Sequence, residues 1–169
     1  ALRQAVYGVS FANYLRSLSG SDDSLEELVT KMVGHFSEGR SGGFFFLSAD
    51  DRYILKTVDR GEQKQLLQML PRYYEYMRRS PRTLLARFYG CYAITMHGQC
   101  RAFMAMENLF HGSATPDETY DLKGSWIDRS ASQLRKTGLD LDMTRRLHLS
   151  PRVCAELKEQ CAADAEMLR

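Results

Sequence analysis

The stretch EGRSGGFFFLSADDRYILKTV, residues 38–58, limits the possible folds more than any other part of the chain. Gly39, Gly42 and Gly43 lead into an apolar run beginning at Phe44, the polar ADDR turns the chain, and YILKTV returns. That is the pattern of a β-hairpin with a flexible, glycine-rich entry. A second hairpin is predicted from Cys91 to Met96 and Cys100 to Met106, with Gly98 of HGQ supplying its turn. Two hairpins in one chain point to an antiparallel sheet.

Helical periodicity fills the spaces around them. Leu2 to Leu18 reads as one helix with a broad apolar stripe, ended by SGSDDS, where Asp22 or Asp23 can cap a short helix carrying Leu25, Leu28, Val29 and Met32. Glu62 to Arg79 reads as a helix with Leu66, Leu67, Leu70, Tyr74 and Met77 inward, and Pro71 is expected to kink or split it. TYDLKGSW reads as a further strand, followed by a polar stretch from Ser130 to Gly138. Ser150 and Pro151 form an N-cap and first-turn pair opening a last helix through Val153, Leu157, Cys161, Ala165 and Leu168. The order predicts an α+β fold, an antiparallel sheet with flanking helices.

Composition removes several functional classes. The 169 residues are 44% hydrophobic, enough to bury a core as one domain or one and a half. A formal charge of +2 is no argument for nucleic acid, and no RNP, OB or KH pattern is present. No apolar run is long enough to span a bilayer and the first residues do not read as a signal peptide, so any membrane contact is expected to be peripheral. Cys91, Cys100, Cys154 and Cys161 form neither a CxxC pair nor a zinc spacing. Cys154 and Cys161, seven apart, are expected to be core thiols in a reducing, cytosolic compartment. The four histidines are scattered and expected at surface or turn positions.

Three places carry chemistry. In YDLKGSWIDR, Asp121, Lys123 and Ser125 fall at every second position, one face of a strand, with Arg129 just beyond. Either a solvated edge strand or a phosphate site fits that pattern. Lys56 shares a strand face with Ile54 and Val58, so it either lies at a sheet edge with its ammonium in water or faces an anion. Arg72, Arg78, Arg79, Arg82 and Arg87 form a basic cluster with interleaved tyrosines, which reads as a solvated helix face or as a surface for anionic lipid. Phe44 to Phe46 and MAMENLF read as core strands, and Trp126 is expected to pack beneath the DLKGS strand.

A glycine-rich turn, a hairpin, a strand lysine, a helix and two strands ending in MEN are the parts of a kinase small lobe in order. Together EGRSGGFFFLSADDRYILKTV, MLPRYYEYM, RTLLARFYGCY, MAMENLF and YDLKGSWIDR resemble the phosphatidylinositol phosphate kinase family, in order and over nearly the whole chain. The resemblance implies a protein-kinase-like small lobe over 1–112 and the start of the large lobe over 113–169. It implies that Gly39, Ser41, Gly42 and Gly43 cover ATP phosphates, that Lys56 pairs with them, and that Met106, Glu107, Asn108 and Leu109 are the hinge reading adenine mostly through backbone. Asp121, Lys123 and Arg129 would belong to the DLKGSxxxR element that holds phosphate and shapes the catalytic centre, Asp121 orienting Arg129 by a charge-assisted bond. Glu62 is the nearest acid to pair with Lys56, although its place at the helix start fits a favourable first-turn charge.

The resemblance further implies ATP and Mg²⁺ as cofactors, a phosphoinositide headgroup as substrate (the 4-phosphate, phosphorylated at the 5-hydroxyl) and a peripheral anionic membrane surface as partner. It also implies a possible homodimer, no nucleic acid, and a cytoplasmic location at the cytosolic face of the plasma membrane. Where the family has a lysine, Leu139 stands here, and the family's MDYSLL and IID motifs do not occur. Metal ligands are therefore expected beyond Arg169, and the chain is expected to be an inactive fragment on its own. The rival expectation is a non-catalytic phosphoinositide-binding or dimerising pseudoenzyme.

Overall fold

Alternation in residues 45–58 sets the first sheet. A computed structural model describes residues 2–19, 45–96, 99–112, 115–131 and 137–169, so the glycine-rich entry and the short helix expected after Asp22 lie outside the described residues. The described residues fall into two compact units, Ala1–His111 with Leu157–Arg169, and Gly112–Glu156.

In the first unit, β1 (Phe45–Leu47), β2 (Tyr53–Val58), β3 (Phe88–Met96) and β4 (Gln99–Glu107) form an antiparallel sheet in the order β1-β2-β4-β3. One face is aromatic and buried: Tyr53, Leu55, Tyr89, Phe103 and Ala105 pack with Tyr14 and Leu18 of a helix. Tyr14 meets Tyr53 edge-on with ring centroids 5.1 Å apart. The Arg3 guanidinium lies 4.1 Å over the Tyr14 ring and donates to the Tyr89 carbonyl at 3.2 Å, which pins the N-terminal segment to β3. Phe45 remains 65% exposed, so the FFF run is only partly core.

The single helix expected from Leu2 to Leu18 is two, α1 (Leu2–Ala5) and α2 (Phe11–Ser19). Gly8 takes φ +67° between them, where a side chain would be strained. The Ser10 hydroxyl then accepts from the Asn13 amide at 3.2 Å and restarts the helix. The apolar pattern survives the break, so periodicity alone could not show it.

Helix α3 (Arg60–Arg79) is opened by a capping box: Asp59 accepts from the Glu62 amide at 2.8 Å and Glu62 accepts from the Asp59 amide at 2.9 Å. It continues as one helix through Pro71, so the expected split does not occur. Met77 of the expected stripe is buried, but it is joined by Tyr73 rather than by the leucines; Leu67 is 52% exposed. Tyr73 is buried at no polar cost because its hydroxyl donates to the Ala86 carbonyl at 2.7 Å and accepts from the Phe88 amide at 3.1 Å. These contacts fix the half of the helix that follows Pro71.

Helix α4 (Pro151–Leu168) starts as expected, with Ser150 accepting from the Val153 amide at 3.3 Å. Its expected inner stripe is largely exposed, Cys161 included, and its buried residues are Asp164 and Met167. Asp164 collects four donors: Thr83 Oγ at 2.6 Å, the Tyr76 hydroxyl at 2.7 Å, the Leu84 amide at 2.8 Å and Gln160 Nε2 at 2.9 Å. Arg72 donates to the Met167 carbonyl at 3.0 Å, satisfying a helix-end acceptor.

In the second unit, β5 (Tyr120–Asp121) and β6 (Gly138–Leu139) pair in parallel, and a 3₁₀ turn (Asp140–Asp142) follows. The longer strand expected through TYDLKGSW stops at Asp121, because the chain turns at Gly124, which has φ +68°. Asp121, Lys123 and Ser125 are therefore not one strand face.

Candidate functional site

Lys56 sits on an interior strand, opposite Phe45 of β1 and Met104 of β4. That removes the sheet-edge alternative. Its ammonium lies 3.4 Å from Glu62, with the two side chains 30% and 46% exposed. A pair that open to water holds weakly, about 0–1 kcal/mol, and uses one of three ammonium donors. Glu62 does both jobs that the sequence offered it: one carboxylate oxygen completes the capping box and the other faces Lys56. The box fixes the carboxylate where the strand lysine can reach it.

The hinge candidates occupy the end of β4. Met106 stands opposite Ile54, on the Lys56 side of the sheet by strand alternation, and Glu107 opposite Tyr53 on the other side. The Glu107 amide donates to the Arg87 carbonyl at 2.9 Å and the Asn108 amide to the Arg52 carbonyl at 2.9 Å. Both N–H groups are thus already engaged within the unit. The Asn108 side chain locks the same corner, donating to the Asp51 carbonyl at 2.7 Å and accepting from the Phe110 amide at 3.1 Å. Leu109 is 66% exposed. A cavity of about 440 Å³ opens beside the hinge on the Tyr53 side, lined by Arg52, Arg87, Glu107 and Leu109 among others. Gly39, Ser41, Gly42 and Gly43 lie outside the described residues.

The DLKGS element is organised by a residue that sequence reading passed over. The Asp140 carboxylate accepts from the amides of Lys123 (2.9 Å) and Gly124 (2.7 Å) and from Arg129 Nε at 2.7 Å. Successive amides curled by a left-handed glycine make an anion-binding concavity, and Asp140 fills it. The Arg129 hydrogen bond, aided by the two amides, holds the Asp140 carboxyl down at about 2. Asp142 grips the next segment through the Leu139 and Ala131 amides, both at 2.8 Å, and these bonds lower its pKa.

Asp121 is a lesser partner of Arg129 than expected. Its carboxylate is 3.7 Å from Arg129, while its backbone carbonyl accepts from the guanidinium. The Lys123 ammonium lies 3.4 Å from the Asp121 carboxylate and its side chain is 64% exposed. Trp126 does not pack beneath the strand; it is 78% exposed. The spacing of the aspartates in LDLD after a glycine was the available signal for Asp140, but nothing local says that their partners sit in DLKGS.

The basic cluster is divided among partners. Arg78 and Arg79 share Glu75 at 2.9 and 3.3 Å, and Arg72 caps the last helix. Among the described residues no helix is long and apolar enough to cross a membrane, and no group of three His, Cys, Asp or Glu side chains is placed to hold a metal ion. The residues described do not fit Mg²⁺; Asp121 and Asp140 are engaged with Lys123 and Arg129.

Comparison with known proteins adds the family. The model of the family described as Phosphatidylinositol-4-phosphate 5-Kinase matches residues 22–169. Phosphatidylinositol 4-phosphate 5-kinase 7 of Arabidopsis thaliana is 36% identical over 172 residues, covering 99% of this chain and 22% of that protein. Phosphatidylinositol 4-phosphate 5-kinase type-1 alpha of Homo sapiens is 41% identical over 123 residues, covering 71% of this chain and 22% of that protein. The chain therefore spans about a fifth of the length of the curated relatives it matches. With nearly its whole length matched, the chain belongs to the phosphatidylinositol-4-phosphate 5-kinase family.

Proposed function

We propose that the protein takes part in ATP-dependent phosphorylation of a phosphatidylinositol monophosphate, converting the 4-phosphate to the 4,5-bisphosphate at the cytosolic face of a membrane. The observation that carries this reading is the family match over residues 22–169. Lys56 would meet the nucleotide phosphates with Glu62 orienting its ammonium, and residues 106–109 would frame the adenine. The Glu107 and Asn108 amides are engaged within the unit, so adenine recognition there would fall to other groups of the hinge. The glycine-rich segment, Gly39 to Gly43, would cover the phosphates. Asp121, Lys123 and Arg129 would serve the lipid phosphate and the reacting centre.

The test is formation of bisphosphate on vesicles containing phosphatidylinositol 4-phosphate, by the purified protein that carries this chain, with ATP. The expected result is product with the 4-phosphate lipid, none with unphosphorylated phosphatidylinositol, and loss of product in Lys56→Met. Vesicle capture without any product would instead identify a non-catalytic phosphoinositide-binding module.

A further inference from the structure

The cavity of about 440 Å³ on the Tyr53 side of the sheet combines charged and aromatic residues, all of them in the first unit. Tyr53 shares its strand face with Leu55 of the core, whereas Ile54 and Lys56 take the other face, and neither lines the cavity. The cavity is therefore separate from the place where Lys56 meets Glu62.

Two guanidiniums line it, those of Arg52 and Arg87, against one carboxylate, that of Glu107. The backbone brings the arginines together. The Arg52 carbonyl accepts from the Asn108 amide and the Arg87 carbonyl from the Glu107 amide, both at 2.9 Å, so the two residues flank the end of β4. Both ion pairs are long and open to water. Arg87 stands 3.5 Å from Glu107, with the side chains 43% and 30% exposed, and Arg52 stands 3.4 Å from Asp50, with 60% and 39% exposed. Asp50 does not line the cavity, and its other carboxylate oxygen accepts from the Ser17 and Ser48 hydroxyls and the Arg52 amide. Pairs of this kind give way to an anion that meets the planar forks at charge-assisted distance. The aromatic part is firm: Tyr53 and Tyr89 are 5% and 8% exposed with ring centroids 4.6 Å apart, and Val9 packs against their cluster.

We propose that this cavity binds a small phosphate monoester, its dianion held by Arg52 and Arg87 and its flat apolar body resting against Tyr53, Tyr89 and Val9. A phosphate has oxygens enough for both forks, and its second charge lets it displace Glu107 from Arg87. The volume lies within the range of about 300–1,000 Å³ usual for small-molecule sites. The site does not depend on the function proposed above, since neither Lys56 nor the DLKGS element takes part in it.

Phenyl phosphate is the probe, titrated into the purified chain and followed by calorimetry and by NMR of the Tyr53 and Tyr89 rings, with inorganic phosphate and phenol as its separate parts. The expected result is saturable binding, tighter than that of either part, with shifts at both rings. Arg52→Gln and Arg87→Gln each weaken it about tenfold, the loss of one charge-assisted contact. Glu107→Gln tightens it by removing the competitor for Arg87, the opposite of what damage to the fold would do. Lys56→Met binds the probe as the wild type does. The Arg52 side chain is well exposed, so Arg52→Gln keeps the test decisive should Arg87→Gln fail to fold. No saturable binding by the folded wild type, full binding in Arg52→Gln, or weaker binding in Glu107→Gln would overturn the site. Loss of binding in a folded Lys56→Met chain would overturn it as well, by placing the probe on the other face of the sheet.

Discussion

Arg129 Nε stands 2.7 Å from the Asp140 carboxylate, across eleven residues of sequence, and both side chains are largely enclosed. The contact turns a stretch whose large apolar residues stay exposed into a defined loop, because one carboxylate satisfies two backbone amides and a guanidinium together. The loop is thus shaped by electrostatics rather than by packing, and Trp126 and Ile127 within it remain exposed.

That origin gives the loop a characteristic acid response. Asp140 has its pKa depressed from 3.8 to about 2, so its contribution is complete above the ordinary carboxylate value and is lost as pH falls through about 2. Amide shifts of Lys123 and Gly124 followed by NMR are expected to titrate with a midpoint near 2. A midpoint at the ordinary carboxylate value would show that the contact does not form in solution.

Asp164 plays the corresponding part in the first unit. Burial works against its charge, but donors from Thr83, Tyr76, Leu84 and Gln160 outweigh burial and lower its pKa. Asp164→Ala leaves these donors without a partner and is expected to cost about 3 kcal/mol in a urea melt. A loss under about 0.5 kcal/mol, typical of a surface change, would contradict the buried network. Since the pKa is lowered, this contribution too is present above the usual carboxylate range and fades as pH falls below it.

Pro71 sits on the exposed side of an unbroken helix and removes a backbone donor from it. Pro71→Ala is expected to stabilise the chain by about 1–3 kcal/mol. A destabilised variant would mean that the ring makes packing contacts that outweigh the restored hydrogen bond.

Asp59 holds the first turn of α3 and, through the capping box, the carboxylate that faces Lys56. Asp59→Ala is expected to cost about 1 kcal/mol. It should also weaken nucleotide binding without touching a nucleotide contact; unchanged binding would show that Glu62 is held by other means.

The hairpins, the antiparallel sheet and the long helix were legible because period-two and period-3.6 patterns are local. The break at Gly8 was not, since an apolar stripe continues across it and only the φ angle of one glycine reports the turn. Met77 of the stripe is buried as read, but Tyr73 takes the leucines' place beside it because its hydroxyl finds partners beyond the helix, at Ala86 and Phe88, which no helical wheel contains. Asp121 looked like the partner of Arg129 by proximity in sequence, whereas Asp140 holds the guanidinium by a contact that only the β5–β6 pairing creates. Lys56 was legible only as a lysine either at a sheet edge in water or facing an anion. Its interior strand position and its hold on Glu62 required the sheet order.

Lys56, on an interior strand beside Glu62, is proposed as the lysine that meets the nucleotide phosphates. The most direct measurement is the affinity of the purified chain for ATP, wild type against Lys56→Met, with a thermal melt to confirm that the variant is folded. Binding weakened about tenfold or more in a folded Lys56→Met chain is the expected result. Equal binding by the two, or none by the wild type, would contradict the assignment.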